Sequence, residues 1–493
     1  MAPIYVKYAL SYPSLFVPLN VIVKKSFFQH FCGGSTNEEI SRTTKRLSEN
    51  GVGSILDPAM EEDLKEIDLF PEDRILPQLS NSASSIFDAD VMNQRKMVIQ
   101  NLINAAAIPA TQLSAGSNSD MTKFVALKLT CMVPTGLLYL LTSSLDFLIS
   151  KLEGNDGVKS LHDFGIKLPN QSGDHQTIAE LKKEITKIQR KYPNMSARNL
   201  VFSALHPELV LKFYSEIYLP IHGHAKVMNE SDYKNLQQSL INSMAFCRDI
   251  FEFAAKKSIS IMVDAEQTYF QTAIHYLTFV IAKEAPLLRD KPVLFGTYQM
   301  YLKNGFTSLQ QDHQLYYMYK LPFALKVVRG AYMQSESARA LSFGLSSPIN
   351  DSISKTHEDY SKAIDLLLNA IQNNGESTAA FFATHNVESI EKILSQVDPE
   401  AQGNKVMIGQ LLGMADHLTF SIANSDLAIP YKYVPVGTVE EVLPYLLRRA
   451  QENSSLFGRA TDERNQIKTV ISERIKNLLS SPFLKTTVSG NTT

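Results

Sequence analysis

Residues 323–330 read FALKVVRG, in which five apolar residues surround one lysine and Arg329 and Gly330 follow. Near-continuous apolar runs, without polar alternation, are typical of parallel strands that are covered by helices. Seven similar runs occur: VGSIL (52–56), FVALKLT (124–130), SISIMV (258–263), PVLFGTY (292–298), TAAFFAT (378–384), NKVMIGQ (404–410) and YKYVPVG (431–437). Helical patterns separate them, so the sequence predicts eight βα units that close into an α/β fold, a TIM-like (β/α)8 barrel.

An open doubly wound sheet is the structural alternative. Such a sheet usually carries a glycine-rich dinucleotide fingerprint after its first strand, and the chain contains no G-x-G-x-x-G. The 493 residues suit one large barrel with insertions, since such barrels run from about 200 to more than 400 residues. Lys and Arg total 48 against 50 Asp and Glu. This balance argues against a dedicated nucleic-acid binder, so no nucleic-acid partner is expected.

The predicted organisation has three parts. Residues 1–50 form an N-terminal helical arm, residues 51–480 form the barrel with a helical insertion at about 150–230, and residues 481–493 form a polar tail that we expect to be disordered. The apolar stretch at 8–23 is too short for a comfortable membrane span, so it is either a packed arm or a peripheral membrane contact. Because no arginine precedes Arg42, a typical Arg-rich transit peptide is not visible.

The number and spacing of the cysteines argue against a disulfide-stabilised or metal-binding fold. Cys32, Cys131 and Cys247 are far apart and form no CxxC pair, so neither a disulfide framework nor a zinc site is predicted, and no metal is expected. Reduced thiols fit a cytosolic or organellar compartment better than secretion.

Polar residues cluster at the ends of the predicted strands, where barrel enzymes place their active sites. These residues are Asp57, Lys128, Asp264, Gln299, Arg329, Tyr332, Thr384, His385, Asn386, Gln410 and Tyr433. Singly, each has a structural explanation: Lys128 could pair with one carboxylate, Asp264 could cap the next helix, and His385 could be a core imidazole. Together they predict a ligand site, because so many polar groups are costly to bury at one end of a barrel without partners.

The helix after the eighth strand carries two consecutive arginines. Residues 438–441, TVEE, fit a capping box at its start. Arg448 and Glu452 are four residues apart and share a face, so an exposed ion pair is one reading. The other is an anion clamp, since the paired guanidiniums of Arg448 and Arg449 suit a carboxylate.

Six segments together resemble the proline dehydrogenase (proline oxidase) family, in its eukaryotic mitochondrial branch. They are VDAEQTYFQTAI (263–274), TYQMYLK (297–303), KVVRGAYM (326–333), ATHN (383–386), GQLLGMAD (409–416) and YKYVPVGTVEEVLPYLLRRAQEN (431–453). The resemblance runs from about residue 25 to residue 475 and is weakest through the insertion. It implies a distorted (β/α)8 barrel that holds FAD without a Rossmann motif.

The resemblance also implies the reaction. L-Proline is oxidised to 1-pyrroline-5-carboxylate by hydride transfer from C5 to flavin N5, the first step of proline catabolism. Electrons then pass to a membrane quinone, which implies a mitochondrial enzyme with peripheral inner-membrane association. Hydroxyproline dehydrogenase, of the same family, is the alternative. Tyr433 favours proline, because the hydroxyproline-oxidising relatives carry a smaller residue there.

Site residues follow from the matched segments. The proline carboxylate is held by Arg448, Arg449 and Lys128, Asp264 orders this basic cluster, and Tyr332 and Tyr433 line the ring pocket. Gln299 contacts the flavin ring and Lys326 lies near flavin N5. The remaining cofactor contacts are Arg329, Gly330, Ala331, Thr384, His385, Asn386 and Glu452.

Some expectations depart from the family or compete with it. The chain has no Trp to stack on adenine and no second catalytic domain, so a monofunctional enzyme is expected. A Schiff-base aldolase that uses Lys128 or Lys326 is a rival, since a desolvated lysine can become a nucleophile. A non-enzymatic barrel that senses proline or FAD is another.

Overall fold

The computed structural model describes residues 24–60, 89–107, 121–154, 157–158, 176–218, 228, 230–289, 291–374, 377–398, 405–443, 445–447, 468 and 472. Eight parallel strands close into one barrel: β1 (Gly53–Asp57), β2 (Lys123–Leu127), β3 (Ile259–Val263), β4 (Leu294–Gln299), β5 (Phe323–Val328), β6 (Thr378–Ala383), β7 (Val406–Leu411) and β8 (Ile429–Pro435). Each overlaps one of the eight apolar runs, so the predicted barrel is confirmed.

The first and last strands close the barrel. Strand β1 pairs in parallel with β8, from Gly53 opposite Tyr431 to Asp57 opposite Pro435. Strand β1 also pairs with β2 through Ile55 opposite Phe124. The Val436 N–H donates to the Asp57 carbonyl at 2.7 Å, which continues the ladder past the strand end.

Helices surround this sheet in the expected alternation. They are α1 (Asn37–Ser48), α2 (Ala89–Ala107), α3 (Thr135–Leu152), α4 (Gln176–Lys191), α5 (Ala197–Ala204), α6 (Pro207–Phe213), α7 (Glu230–Lys256), α8 (Thr268–Glu284), α9 (Gly305–Met318), α10 (Met333–Ser342), α11 (Ile353–Asn374), α12 (Val387–Gln396) and α13 (Asp416–Ala423). Helices α4, α5 and α6 lie within the predicted insertion. A short hairpin pairs Glu153–Gly154 with Gly157–Val158. Residues 155–156 and 159–175 lie outside the described residues, as does the polar tail predicted from residue 481.

Residue contacts divide the chain into two units. One contains Met1–Phe28 and Val439–Thr493, and the other is Gln29–Thr438, which holds the whole barrel. In the first unit, Lys24–Phe28 form a π-helical turn, and residues 439–443 and 445–447 are helical. The predicted domain boundaries at residues 50 and 480 stay predictions.

An aromatic cluster fills the interior of the barrel. Phe124 contacts Phe295, Phe381 and Tyr431 edge-on, with ring centroids 5.0, 6.1 and 5.3 Å apart. All four rings are at most 1% exposed. Such edge-to-face packing is the arrangement that the charge distribution of aromatic rings favours. This aromatic floor closes the barrel below the carboxyl ends of its strands.

Helix α8 is buried on nearly every side, since 13 of its 17 residues are buried. Its sequence, TYFQTAIHYLTFVIAKE, nevertheless contains Gln271 and His275 within the buried part. Buried polar side chains require hydrogen-bond partners, so these two must find theirs inside the protein. No helix in the described part of the chain is both long enough and apolar enough to cross a membrane.

Candidate active site

Charged side chains form a layer at the carboxyl ends of the strands. Asp57, Lys128, Asp264 and Lys326 come from four different strands or strand ends, and each is less than a tenth exposed. Strand residues alternate in direction, so Lys326 faces the same side as Ala324 of the interior cluster. Two carboxylates and two ammonium groups are thus held together in a poorly solvated space, where each charge needs its opposite.

Asp264 is the centre of this layer. The Lys326 ammonium donates to Asp264 Oδ1, and the Tyr433 hydroxyl donates to Asp264 Oδ2 at 2.6 Å. The Lys326 Nζ also lies 5.3 Å from the centroid of the Tyr433 ring, a cation–π distance. Asp264 therefore fixes both a cation on β5 and a phenol on β8.

Burial governs the protonation of the neighbouring groups. It raises the pKa of Asp57, with the charge of Asp264 adding to the effect and that of Lys128 opposing it. Burial and the two carboxylates raise the pKa of Tyr433 well above 10. Tyr433 therefore keeps its proton at neutral pH and acts as a hydrogen-bond donor.

Arg329 forms no direct ion pair among the described residues, although the charge of Glu388 acts on it. It donates to three neutral side chains: to His357 Nδ1 at 3.1 Å, and to the hydroxyls of Thr384 and Ser389, each at 2.9 Å. Its guanidinium lies 4.3 Å from the Tyr360 ring centroid. Within the described part of the chain it pairs with no carboxylate, and burial lowers its pKa. The positive charge is rigidly held and suits an anionic ligand.

Strand β4 supplies polar side chains to the same end. The Gln299 amide nitrogen donates to the Glu266 carbonyl at 2.9 Å. The Thr297 hydroxyl, opposite Lys326 in the strand register, is buried and finds no hydrogen-bond partner among the described residues. A buried hydroxyl without a partner and an arginine without a direct ion pair both fit a large, polar, anionic group. The residues present therefore fit the flavin cofactor that the resemblance implies.

The turn after β5 contains a glycine that no other residue could replace without strain. Gly330 has φ +147°, and a Cβ there would lie 2.3 Å from the Tyr301 ring. The backbone at Gly330 therefore packs closely against Tyr301. This contact, which the sequence did not reveal, is the structural reason for a glycine at this position. Ala331 is exposed, and Tyr332 is half-buried at the N-cap position of α10.

The structure describes some of the remaining predicted site residues and not others. Thr384 binds Arg329, as described above. The exposed His385 accepts at Nε2 from the Leu411 N–H at 3.3 Å. The Asn386 side chain accepts from the Ser389 N–H at 2.8 Å and caps α12. Arg448, Arg449 and Glu452 lie outside the described residues.

Two buried glutamates of the site were missed. Glu266 accepts from the Thr130 N–H at 3.1 Å and from the Thr130 hydroxyl at 2.7 Å, which ties the turn after β2 to the end of β3. Glu336 accepts from the Thr268 N–H at 2.6 Å and from its hydroxyl at 2.7 Å, which caps α8. Only the position of Glu266 two residues after Asp264 could have drawn attention to it.

Among the residues that the structure describes, no group of histidine, cysteine and acidic side chains could hold a metal ion. Cys32, Cys131 and Cys247 are all buried, and none of them forms a disulfide in the described part of the chain. Burial raises the pKa of the Cys32 thiol to about 12, so it is unreactive near neutral pH.

A buried histidine stands next to the site. Arg198 donates to His275 Nδ1 at 3.0 Å, and His275 Nε2 donates to the Thr297 carbonyl at 3.0 Å. A guanidinium only donates and a carbonyl only accepts, which assigns the neutral Nε2–H tautomer. Burial first, and the charge of Arg198, lower the pKa of His275 to about 4, although Asp312 acts in the opposite direction.

This shift predicts a specific loss of stability in acid. The folded pKa lies below the ordinary value of about 6.5, so the unfolded chain takes up the proton first as the pH falls. Between about pH 6.5 and 4, His275 should cost about 1.4 kcal/mol of unfolding free energy per pH unit. Urea unfolding at pH 7 and pH 5 should show this slope in the wild type and lose it in His275→Gln. Equal slopes in both proteins would contradict the assignment.

The comparisons with known proteins find similar sequences in one family. The model of the proline dehydrogenase family matches residues 150–461. Proline dehydrogenase 1, mitochondrial, of Dictyostelium discoideum is 30% identical over 451 residues, which cover 90% of this chain and 64% of the relative. The Caenorhabditis elegans protein of the same name is 27% identical and covers 92% and 80%. Hydroxyproline dehydrogenase of Xenopus laevis is 32% identical over 241 residues, covering 48% of this chain and 51% of that protein.

A solved structure supports the fold. Proline utilization A from Bdellovibrio bacteriovorus, inactivated by N-propargylglycine, superposes with a TM-score of 0.55 at 15% identity. The match covers 89% of this chain but only 34% of the bacterial protein. At this identity the likeness speaks for the barrel alone. Because the family model spans more than half of its 493 residues, the chain belongs to the proline dehydrogenase family.

Proposed function

We propose that this protein is an FAD-dependent proline dehydrogenase that oxidises L-proline to 1-pyrroline-5-carboxylate. The observation that carries the proposal is the Asp264 centre, with Lys326 and Tyr433 on its two oxygens at the mouth of a barrel of this family. One ordered cation and one ordered phenol above an apolar barrel interior suit a small cyclic substrate beside a flat cofactor.

The carboxylate of proline is assigned to Arg448, Arg449 and Lys128. Lys128 follows β2 at the charged end of the barrel and is 8% exposed. Its charge acts on Asp57, which supports a position inside the charged layer. The two arginines enter through the family resemblance and through their suitability for a carboxylate. Three cations would hold the anionic end of the substrate and fix its ring orientation.

FAD would be held by the residues of β4, β5 and β6 and of their following turns. These are Gln299, Lys326, Arg329, Gly330, Ala331, Thr384, His385 and Asn386, with Glu452 on the last helix. When bound, FAD supplies the electron sink that accepts the hydride from proline C5 at its N5. Arg329, whose hydrogen-bond partners are all neutral, offers its positive charge to an anionic part of the cofactor. Lys326 provides a fixed positive charge close to the substrate ring.

Tyr433 acts as a wall and a hydrogen-bond donor rather than as an acid. Its raised pKa keeps the phenol neutral, and its hydroxyl is already committed to Asp264. Tyr332, at the start of α10, is assigned to the same ring pocket. A bulky ring at position 433 restricts the space for a 4-hydroxyl group, which favours proline. The alternative, hydroxyproline dehydrogenase, is kept because one relative bears that name.

The electron acceptor is proposed to be a membrane quinone. The Dictyostelium discoideum and Caenorhabditis elegans relatives are mitochondrial by name, so a mitochondrial location is inferred for this chain. We place the protein at the inner membrane or on its matrix side, with a peripheral rather than a spanning attachment.

Anaerobic titration of the purified protein tests the function directly. The visible spectrum should show bound flavin, and L-proline should bleach it, whereas trans-4-hydroxy-L-proline should do so far more slowly. A flavin that hydroxyproline reduces faster would move the assignment to hydroxyproline dehydrogenase. A protein that binds flavin but stays oxidised with both compounds would refute the enzyme assignment, and borohydride trapping of Lys128 or Lys326 with a carbonyl substrate would support the aldolase alternative.

A further inference from the structure

The insertion meets the barrel through a buried ion pair. Arg198, the second residue of α5, binds Asp312 of α9 through Nε at 2.8 Å and through a terminal nitrogen at 2.9 Å. Both side chains are less than a tenth exposed. The Asn199 amide also donates to the Gln311 carbonyl at 2.8 Å, so two consecutive residues of α5 bind two consecutive residues of α9.

The same arginine reaches the strand that carries Gln299. As described above, Arg198 donates to His275 of α8, and His275 donates to the Thr297 carbonyl on β4. The His275 ring stacks on that of Tyr298 with centroids 4.4 Å apart, and the Tyr298 hydroxyl donates to Asp312 at 3.0 Å. Strand β4 is therefore held at two successive residues. The Thr297 carbonyl accepts from His275, and the Tyr298 side chain stacks on His275 and donates to Asp312.

A separate set of hydrogen bonds ends on the amide of Gln299. The Gln271 side-chain nitrogen lies 2.8 Å from His275 Nε2, but both atoms are donors in the Nε2–H tautomer, so this contact is not a hydrogen bond. The Gln271 oxygen accepts from the Glu266 N–H at 2.9 Å. The Glu266 carbonyl in turn accepts from the Gln299 amide nitrogen at 2.9 Å. The hydrogen bonds from the insertion therefore end on the Thr297 carbonyl of β4, and Gln299, two residues further along the same strand, is held by Glu266.

Stability alone does not explain this arrangement. A buried ion pair contributes little net stability, because desolvation of its charges offsets their attraction. Its geometry, however, is demanding, since a bidentate arginine fixes both partners in distance and in plane. Buried networks of this kind define a unique arrangement of the elements that they join.

We propose that the helical insertion is a buttress for strand β4, and that Arg198, Asp312 and His275 are positioning residues for Gln299 and Thr297. The inference rests on the proposed function, in which Gln299 contacts the flavin ring. The three residues would act through β4 rather than by contact with substrate or cofactor. They fix the carbonyl of Thr297 and the ring of Tyr298, and through the strand backbone they set the position of Gln299.

The test compares His275→Phe with His275→Gln and with Arg190→Met, an exposed arginine on α4 of the same insertion. Phenylalanine can stack on Tyr298 but cannot donate to the Thr297 carbonyl, whereas glutamine can donate and accept. At a temperature where all variants are folded, His275→Phe should raise the dissociation constant of FAD about tenfold, the loss of roughly one hydrogen bond. It should also alter the visible flavin spectrum. His275→Gln should restore most of both properties, and Arg190→Met should match the wild type.

If the His275→Phe protein unfolds at a lower temperature but keeps the wild-type spectrum and FAD affinity, the proposed positioning role is wrong and His275 has a purely structural role. If that variant does not fold, the double variant Arg198→Met with Asp312→Asn takes its place, since it leaves no unpaired buried charge. The proposed function is judged separately, by whether L-proline bleaches the wild-type flavin.

Discussion

Replacing Asp264 with alanine is expected to lower the unfolding free energy by about 3–5 kcal/mol, because it leaves the buried Lys326 ammonium without its counter-charge. Lys326 and Asp264 are both less than a tenth exposed, so water cannot compensate for the lost carboxylate. The Tyr433 hydroxyl would lose its acceptor at the same time. Urea unfolding at neutral pH, followed by circular dichroism, measures the loss.

An exposed ion pair of the same residue types provides the control. Lys96 binds Asp249 at 2.6 Å, but Asp249 is 58% exposed. Asp249→Ala should therefore cost less than about 1 kcal/mol. Asp264→Asn adds a second comparison, since it keeps an oxygen for Tyr433 and removes only the charge. If Asp264→Ala were no more destabilising than Asp249→Ala, Asp264 would not be the anchor of the charged layer.

The second large effect concerns substrate affinity. Arg449→Met should weaken the binding of L-proline by about 100-fold or more, since truncating one partner of a desolvated charge pair costs about 3 kcal/mol. The flavin should remain bound, because Arg449 is assigned to the substrate rather than to the cofactor. Anaerobic titration of flavin reduction against proline concentration gives the apparent affinity of both proteins.

Binding of pyrrolidine distinguishes the loss of a carboxylate contact from a general disturbance of the pocket. This ring lacks the carboxylate, so wild type and Arg449→Met should bind it equally. Arg42→Met, at an exposed arginine of α1, should leave proline affinity unchanged. An Arg449→Met protein that loses proline and pyrrolidine affinity in the same proportion would remove the clamp and leave Arg449 with a structural role.

Much of the fold could be predicted because the strands of a parallel barrel are buried on both faces. The run FALKVVRG is an example. Its apolar residues identify β5, and its one lysine indicates a charge that needs a partner inside the barrel. The same reasoning identified Lys128, Asp264 and Tyr433 as residues of one barrel end. The structure brings Lys326, Asp264 and Tyr433 together, although the sequence alone did not say which partner each would choose.

The buried polar network could not be predicted in the same way. Arg198 and Asp312 are 114 residues apart, and each stands in a helix whose sequence permits an exposed charge. Nothing local distinguishes such a pair from two solvated residues. His275 did carry a signal, since it interrupts a helix that is apolar on nearly every face. Its partners, however, come from the insertion and from β4, and spacing along one helix does not reveal them.

Closure of the barrel by β1 against β8 has a consequence for biosynthesis. The two strands are joined residue by residue, yet Gly53 and Tyr431 are separated by most of the polypeptide. Until β8, which begins at Ile429, has emerged from the ribosome, the nascent chain has two unpaired sheet edges. Unpaired edges favour association with other chains. The partly synthesised chain is therefore prone to aggregation until its last strand emerges.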